Sequence, residues 1–115
     1  MIKIARKLTQ FTQKEIDTLF NKAHRVLAQD GLTVLTGPRQ KEFGRILIMA
    51  SKKIGNAPTR NKLRRQLKAI FYEHKFYQKE WDWIILPKPI VVQNSFQQLT
   101  DLMMRALKNA SSTKS

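Results

Sequence analysis

The stretch Ser51-Lys52-Lys53-Ile54-Gly55-Asn56-Ala57-Pro58-Thr59-Arg60-Asn61-Lys62-Leu63-Arg64-Arg65-Gln66-Leu67-Lys68-Ala69-Ile70-Phe71 decides how the rest of the chain is read. It leaves an apolar run, turns through Gly55-Asn56-Ala57-Pro58, and enters a segment with helical spacing. At ~100° per residue, Leu63, Leu67 and Ile70 share one arc with Phe71 at its edge. Asn61, Arg64, Arg65, Lys68 and Tyr72 share a neighbouring arc. The first arc needs a core to pack on. The second gathers cations, an amide and an aromatic ring, and Lys52, Lys53, Arg60 and Lys62 add to it, with Arg45 upstream read as one more solvent-facing cation. Such groups suit a phosphate polymer. Cations neutralise phosphates and release counterions, and Arg does so with a planar fork. Asn61 can bond a base edge or sugar, and Tyr72 offers a stacking surface. Taken alone, the helix fits a merely solvated basic face equally well. Arg60 lies near the apolar arc, so its stem has the alternative of packing across the core edge.

Working outward, composition points the same way. Lys and Arg number 22 against 8 Asp and Glu, a net charge of +14 in 115 residues. That balance calls for a polyanionic partner, nucleic acid before an anionic membrane. The length suits one domain, 1–115, and 42% hydrophobic residues supply its core. There is no cysteine, which excludes disulfide-linked partners and thiolate metal sites. The opening MIKIARKLTQ lacks the apolar centre of a signal peptide. The longest apolar runs, at 46–50, 83–86 and 90–92, fall far short of the ~20 residues of a membrane span. The expectation is a cytoplasmic protein that does not engage a membrane.

In chain order, residues 1–11 read as a basic mobile arm or an extended segment. Thr12-Gln13-Lys14-Glu15 is a capping box. The helix it starts has Ile16, Leu19, Phe20 and Ala23 on its inner side. It ends near His24 or continues towards Gln29, with Lys22, His24 and Arg25 at its C-terminal end. His24 is read as ordinary surface. Asp30-Gly31 marks a turn. Residues 32–36 form a strand, Gly37-Pro38 breaks it, and 43–50 form a second strand. The continuous run Ile46-Leu47-Ile48-Met49 predicts a central position buried on both faces. The basic helix spans about 58–75, a polar aromatic linker follows to Asp82, and Trp83–Leu86 make a third strand. Ile90–Val92 pack irregularly. Ser95 caps a last helix with Phe96, Leu99, Leu102, Met103, Ala106 and Leu107 at helical spacing. Residues 110–115 read as a disordered tail. The order helix, strands, helix, strand, helix implies an α/β (α+β) two-layer sandwich.

Ser51-Lys52-Lys53-Ile54-Gly55-Asn56-Ala57, Arg60-Asn61-Lys62 and Arg64-Arg65 together resemble the signature of the bacterial ribonuclease P protein subunit. The resemblance covers about Leu8 to Leu107. Lys62 stands where the family usually has an arginine, which keeps the charge but loses the fork. Pro58 stands where valine is common, and is tolerated in a first helical turn. Leu19-Phe20 matches one of the aromatic positions of the family's first helix, whereas Ile16 occupies the other and cannot stack. The resemblance implies a sheet packed on helices with a left-handed βαβ crossover, where physics alone favours the right-handed form. It implies contacts to the catalytic RNA from Lys52, Lys53, Arg60, Asn61, Lys62, Arg64, Arg65 and Lys68. It also implies that Phe20 faces the cleft that takes the 5′ leader of precursor tRNA.

The chain's own residues show no active site. The eight acids are scattered over turns and helix surfaces, and no metalloprotease, nucleophile-elbow or P-loop pattern occurs. Gly55 is needed for a positive-φ turn and Asn56 for a helix cap. The resemblance implies an endoribonuclease, a hydrolase acting in tRNA processing, whose catalysis is carried by the RNA subunit and whose Mg²⁺ is held mainly by that RNA. The protein's part is to bind leader and RNA subunit and to screen phosphates that would repel one another. Two other readings use the same basic face: a ribosomal or general RNA-binding protein without a processing role, and a DNA-binding module with the helix in a major groove. The strands and the lack of a helix-turn-helix pattern speak against the last.

Overall fold

The computed structural model describes residues 7–112. Among them, three helices accompany one four-stranded sheet: α1 (Gln13–Lys22), β1 (His24–Gln29), β2 (Leu32–Pro38), β3 (Ile46–Ile48), α2 (Ala57–Glu73), β4 (Trp81–Pro87) and α3 (Phe96–Ser112). The strand order is β1-β2-β4-β3. β2 pairs antiparallel with both β1 and β4, while β3 runs parallel to β4. A parallel pair needs a crossover, and α2 supplies it.

The main core lies between one sheet face and the two long helices. Leu32 and Val34 of β2, Ile46 of β3 and Trp83 and Ile85 of β4 meet Leu63, Leu67, Ile70 and Phe71 of α2 and Leu99, Leu102, Met103 and Ala106 of α3. This is the expected sheet-on-helices packing. Truncating a fully buried leucine here, such as Leu67, costs about 2–5 kcal/mol. α1 lies on the opposite face. Gly37 follows Thr36 on β2 and so points the other way, and a Cβ there would sit 2.7 Å from Leu19 Cδ1. Glycine is what lets α1 approach so closely.

Several expectations are corrected. The first helix stops at Lys22, because Ala23 is already extended (φ −77°, ψ 146°). Residues 24–29 form β1 instead. Asp30 (φ 50°) and Gly31 (φ 85°) then make a two-residue hairpin turn, and positive φ at both positions matches the twist of the strands it joins. Residues 43–50 shrink to a three-residue strand at a sheet edge, so the central, doubly buried strand is β4. The outer edge of β3 is covered by the preceding segment, Ile46 N–H donating to the Leu8 carbonyl at 2.8 Å. A mobile arm is therefore corrected where the segment is described, since Leu8 is buried; residues 1–6 of the expected arm lie outside the described residues. The tail is corrected likewise, since Ala110 is buried and α3 continues to Ser112. Residues 113–115 lie outside the described residues.

Candidate nucleic-acid interface

The start of α2 is built by local chemistry. Gly55 takes φ 153°, and Asn56 Oδ1 accepts from Thr59 N–H at 3.0 Å and from the Thr59 hydroxyl at 2.8 Å. An N-cap of this kind satisfies a backbone donor that the helix leaves orphaned. Pro58 sits in the first turn, where it removes no needed hydrogen bond. Lys52 and Lys53 lie on the short 3-10 turn Lys52–Ile54, which anchors itself by burying Ile54 and leaves both lysines exposed.

From there the predicted site residues divide. Asn61, Arg65 and Lys68 are exposed on one face of α2. Arg64 is half-buried beside them. Its guanidinium donates to Asn61 Oδ1 at 3.1 Å and to the Ala50 carbonyl at 3.4 Å, which ties the helix to the end of β3. Arg60 is also half-buried, with its Nε enclosed and unpartnered. Lys62 points to another flank, bordering a cavity with Gln66, Val92 and Asn94. The structure thus gathers Asn61, Arg64, Arg65 and Lys68 on one face and sets Lys62 apart.

Of α1's expected inner residues only Leu19 is buried, and Phe20 is 39% exposed. Ile16 and Phe20 lie one turn apart on the same flank. The sheet face beneath α1 is partly open. Cross-strand register aligns Arg25, Leu35, Ile84 and Leu47 in one row across all four strands. A bulge between Arg25 and Leu27 turns Arg25 onto this face. Arg25 is therefore a strand residue and not a helix-end cation. Leu35 and Leu47 are half-buried and Ile84 between them is fully buried, an aliphatic row that the sequence could not name, because register depends on pairing partners as well as on local pattern.

Arg45 is the largest correction. Read as one more solvent-facing cation, it is 1% exposed. Its Nη1 donates to Glu15 Oε1 at 2.9 Å and to the Gln10 carbonyl at 2.7 Å, and its Nη2 lies 3.5 Å from Asp82 Oδ2. Its backbone N–H donates to Asp82 Oδ1 at 2.8 Å, and its guanidinium carbon stands 4.1 Å over the Phe11 ring. The acids here are not scattered surface groups. The Thr12 backbone N–H, then Arg45, hold the Glu15 carboxyl down at about 2. Burial pushes Asp82 up, with Arg45 opposing it. The network joins α1, the sheet and the preceding segment, and so fixes how α1 sits over this sheet face.

Among the described residues no group of three His, Cys, Asp or Glu side chains could hold a metal ion. No described helix is long and apolar enough to cross a membrane.

A basic helix entered through a capped Gly-Asn turn, laid on a four-stranded sheet, is a combination with known relatives. The sequence pattern of the family Ribonuclease P matches residues 5–111. The ribonuclease P protein component of Halalkalibacterium halodurans is 27% identical over 97 residues, covering 84% of this chain and 82% of that protein. That of Erythrobacter litoralis is 32% identical over 92 residues, covering 78% and 75%. The solved RNase P protein of Staphylococcus aureus superposes with a TM-score of 0.77 at 25% identity, over 90% of this chain and 94% of its own. With the signature stretch, the fold and the family pattern agreeing over nearly the whole length, the chain belongs to the ribonuclease P protein family.

Proposed function

We propose that the chain is the protein subunit of ribonuclease P and helps a catalytic RNA remove the 5′ leader of precursor tRNA. Family membership carries a part in tRNA processing within a ribonuclease complex. The finer division of labour is our reading. The RNA subunit performs the phosphodiester hydrolysis and holds the Mg²⁺. The protein binds that RNA through α2 and receives the leader over the half-buried Leu35 and Leu47, with Phe20 at the flank and Arg25 at the end of the row. The single observation that carries the reading is the exposed cationic face of α2, where Arg65 and Lys68 have no ion-pair partner among the described residues. Phosphates brought together when one RNA docks on another repel, and unpaired cations relieve that repulsion. A cytoplasmic location follows from this role.

The test is cleavage of precursor tRNA by a cognate ribonuclease P RNA at low Mg²⁺, with and without the protein. The expected result is faster 5′-leader removal with the protein and a loss of that gain in the Arg64→Ala, Arg65→Ala double variant. Binding of the RNA with no change in cleavage would instead support a general RNA-binding protein.

A further inference from the structure

The surface beside the basic face of α2 is not flat. A cavity of about 300 Å³ opens between α2 and the segment that precedes α1. Buried Leu8, Ile46 and Phe71 line its depth. The hydrogen bond from Ile46 to the Leu8 carbonyl holds that side in place. Tyr72 also lines it, and its ring is stacked on Tyr77 with centroids 5.7 Å apart and planes inclined by 23°. This wall is a supported aromatic surface and not a free side chain. Arg65 and Lys68, both exposed, also line it, with Thr9 and Ala69, and no acid among the described residues borders the cavity. The volume is at the small end of the ~300–1,000 Å³ range of ligand pockets, which suits one planar ring system better than an extended ligand.

We propose that this cavity is a nucleobase pocket: it takes one unstacked base from the RNA partner, while Arg65 and Lys68 hold the phosphates on either side of that base. The inference rests on the reading of α2 as an RNA-binding face and adds to it a site for a base. Charge decides the occupant. An apolar protein side chain would fill the depth yet leave two cations unneutralised, whereas a nucleotide supplies the ring and the phosphates together. Bases splayed out of RNA loops and bulges are commonly held on aromatic rings in this way. Contact through a ring face tolerates any base, so the pocket selects for an unpaired position and not for a sequence.

The experiment measures binding of cognate ribonuclease P RNA by wild type, Ala69→Phe, Tyr72→Ala and Arg65→Ala as a function of salt, with thermal unfolding of each variant as the control for folding. Ala69 lines the cavity and carries no charge, so Ala69→Phe fills the space and leaves every cation in place. The proposal expects Ala69→Phe and Tyr72→Ala to weaken binding roughly 5- to 100-fold with the wild-type salt slope. It expects Arg65→Ala to weaken binding and lower the slope. Base-specific chemical probing of the RNA with wild-type protein gives an independent reading, since one unpaired base should become protected on binding. Wild-type affinity in Ala69→Phe, or no newly protected base, overturns the pocket. If Arg65→Ala is weakened while Ala69→Phe is not, the pocket fails and the RNA-binding face stands. If neither variant is weakened, both fail.

Discussion

Arg45 and Arg65 show what a cation does in this protein when acids are near and when they are not. Arg45 is enclosed and touches Glu15, Asp82, a backbone carbonyl and the Phe11 ring. Arg65 is exposed, with no such partner among the described residues. The chain has only eight acids, and two of them serve Arg45. The face of α2 that carries Arg65 and Lys68 presents none, Glu73 lying on another flank of the helix. Two acids thus partner the cation that ties α1 to the sheet, whereas the cations of the Arg65 face have none beside them. Under the proposed function, the two arginines divide the molecule into a part that holds the fold and a part that would meet RNA.

The sharpest way to break that division is Arg45→Ala. Removing one partner from a buried pair leaves Asp82 uncompensated, and losses of about 3–5 kcal/mol are typical. Urea unfolding should show that loss, while the folded fraction binds RNA with an unchanged salt slope. A lower slope with unchanged stability would place Arg45 in the RNA-binding part. Next in size is Asn56→Ala, which leaves the Thr59 N–H without its acceptor. Caps of this kind are worth about 1 kcal/mol, and the effect should again appear in urea unfolding and not in the salt slope.

The smallest effect is in pH. Glu15 is held at about 2 against an ordinary 4.5. A depressed carboxylate stabilises the fold above its ordinary value, and that contribution is lost as pH falls through 4.5 towards 2. Asp82 pulls the other way. Burial raises it, so its own contribution favours the fold at low pH and fades as pH rises through its folded value. Urea midpoints measured between pH 6 and pH 2 should therefore fall less steeply in Glu15→Gln than in wild type. An equal fall in both would mean that Glu15 is not part of the Arg45 network in solution.

Much of this was legible in the sequence, because the signals were local. The Thr12 and Ser95 caps, the Gly55-Asn56 entry to α2 and its apolar arc each depend on residues within one or two turns. Thr12 and Glu15 form the expected reciprocal box, and Ser95 and Gln98 form another. β1 was missed although Asp30-Gly31 flanked by apolar residues is a strong hairpin signal. The helical spacing of residues 16–23 leaves the end open, near His24 or towards Gln29; the structure takes the earlier end, and the segment beyond it pairs with β2. The edge position of β3 had no local signal. Of its apolar run only Ile46 is buried, Leu47 and Ile48 are half-buried and Met49 is exposed, yet composition alone imitates a central strand. Arg45 was illegible for the same reason. Its partners Glu15 and Asp82 are distant in sequence, and nothing nearby distinguishes an enclosed arginine from an exposed one. Arg65 and Lys68 were readable because an exposed helix face is set by spacing alone.

The most direct test of the division is the salt dependence of binding to cognate ribonuclease P RNA, compared between wild type and the Arg65→Ala, Lys68→Ala double variant. If these cations meet phosphate, the slope of log affinity against log salt should fall by about two, with thermal stability unchanged. An unchanged slope would contradict the account and move the RNA-binding surface off this face of α2.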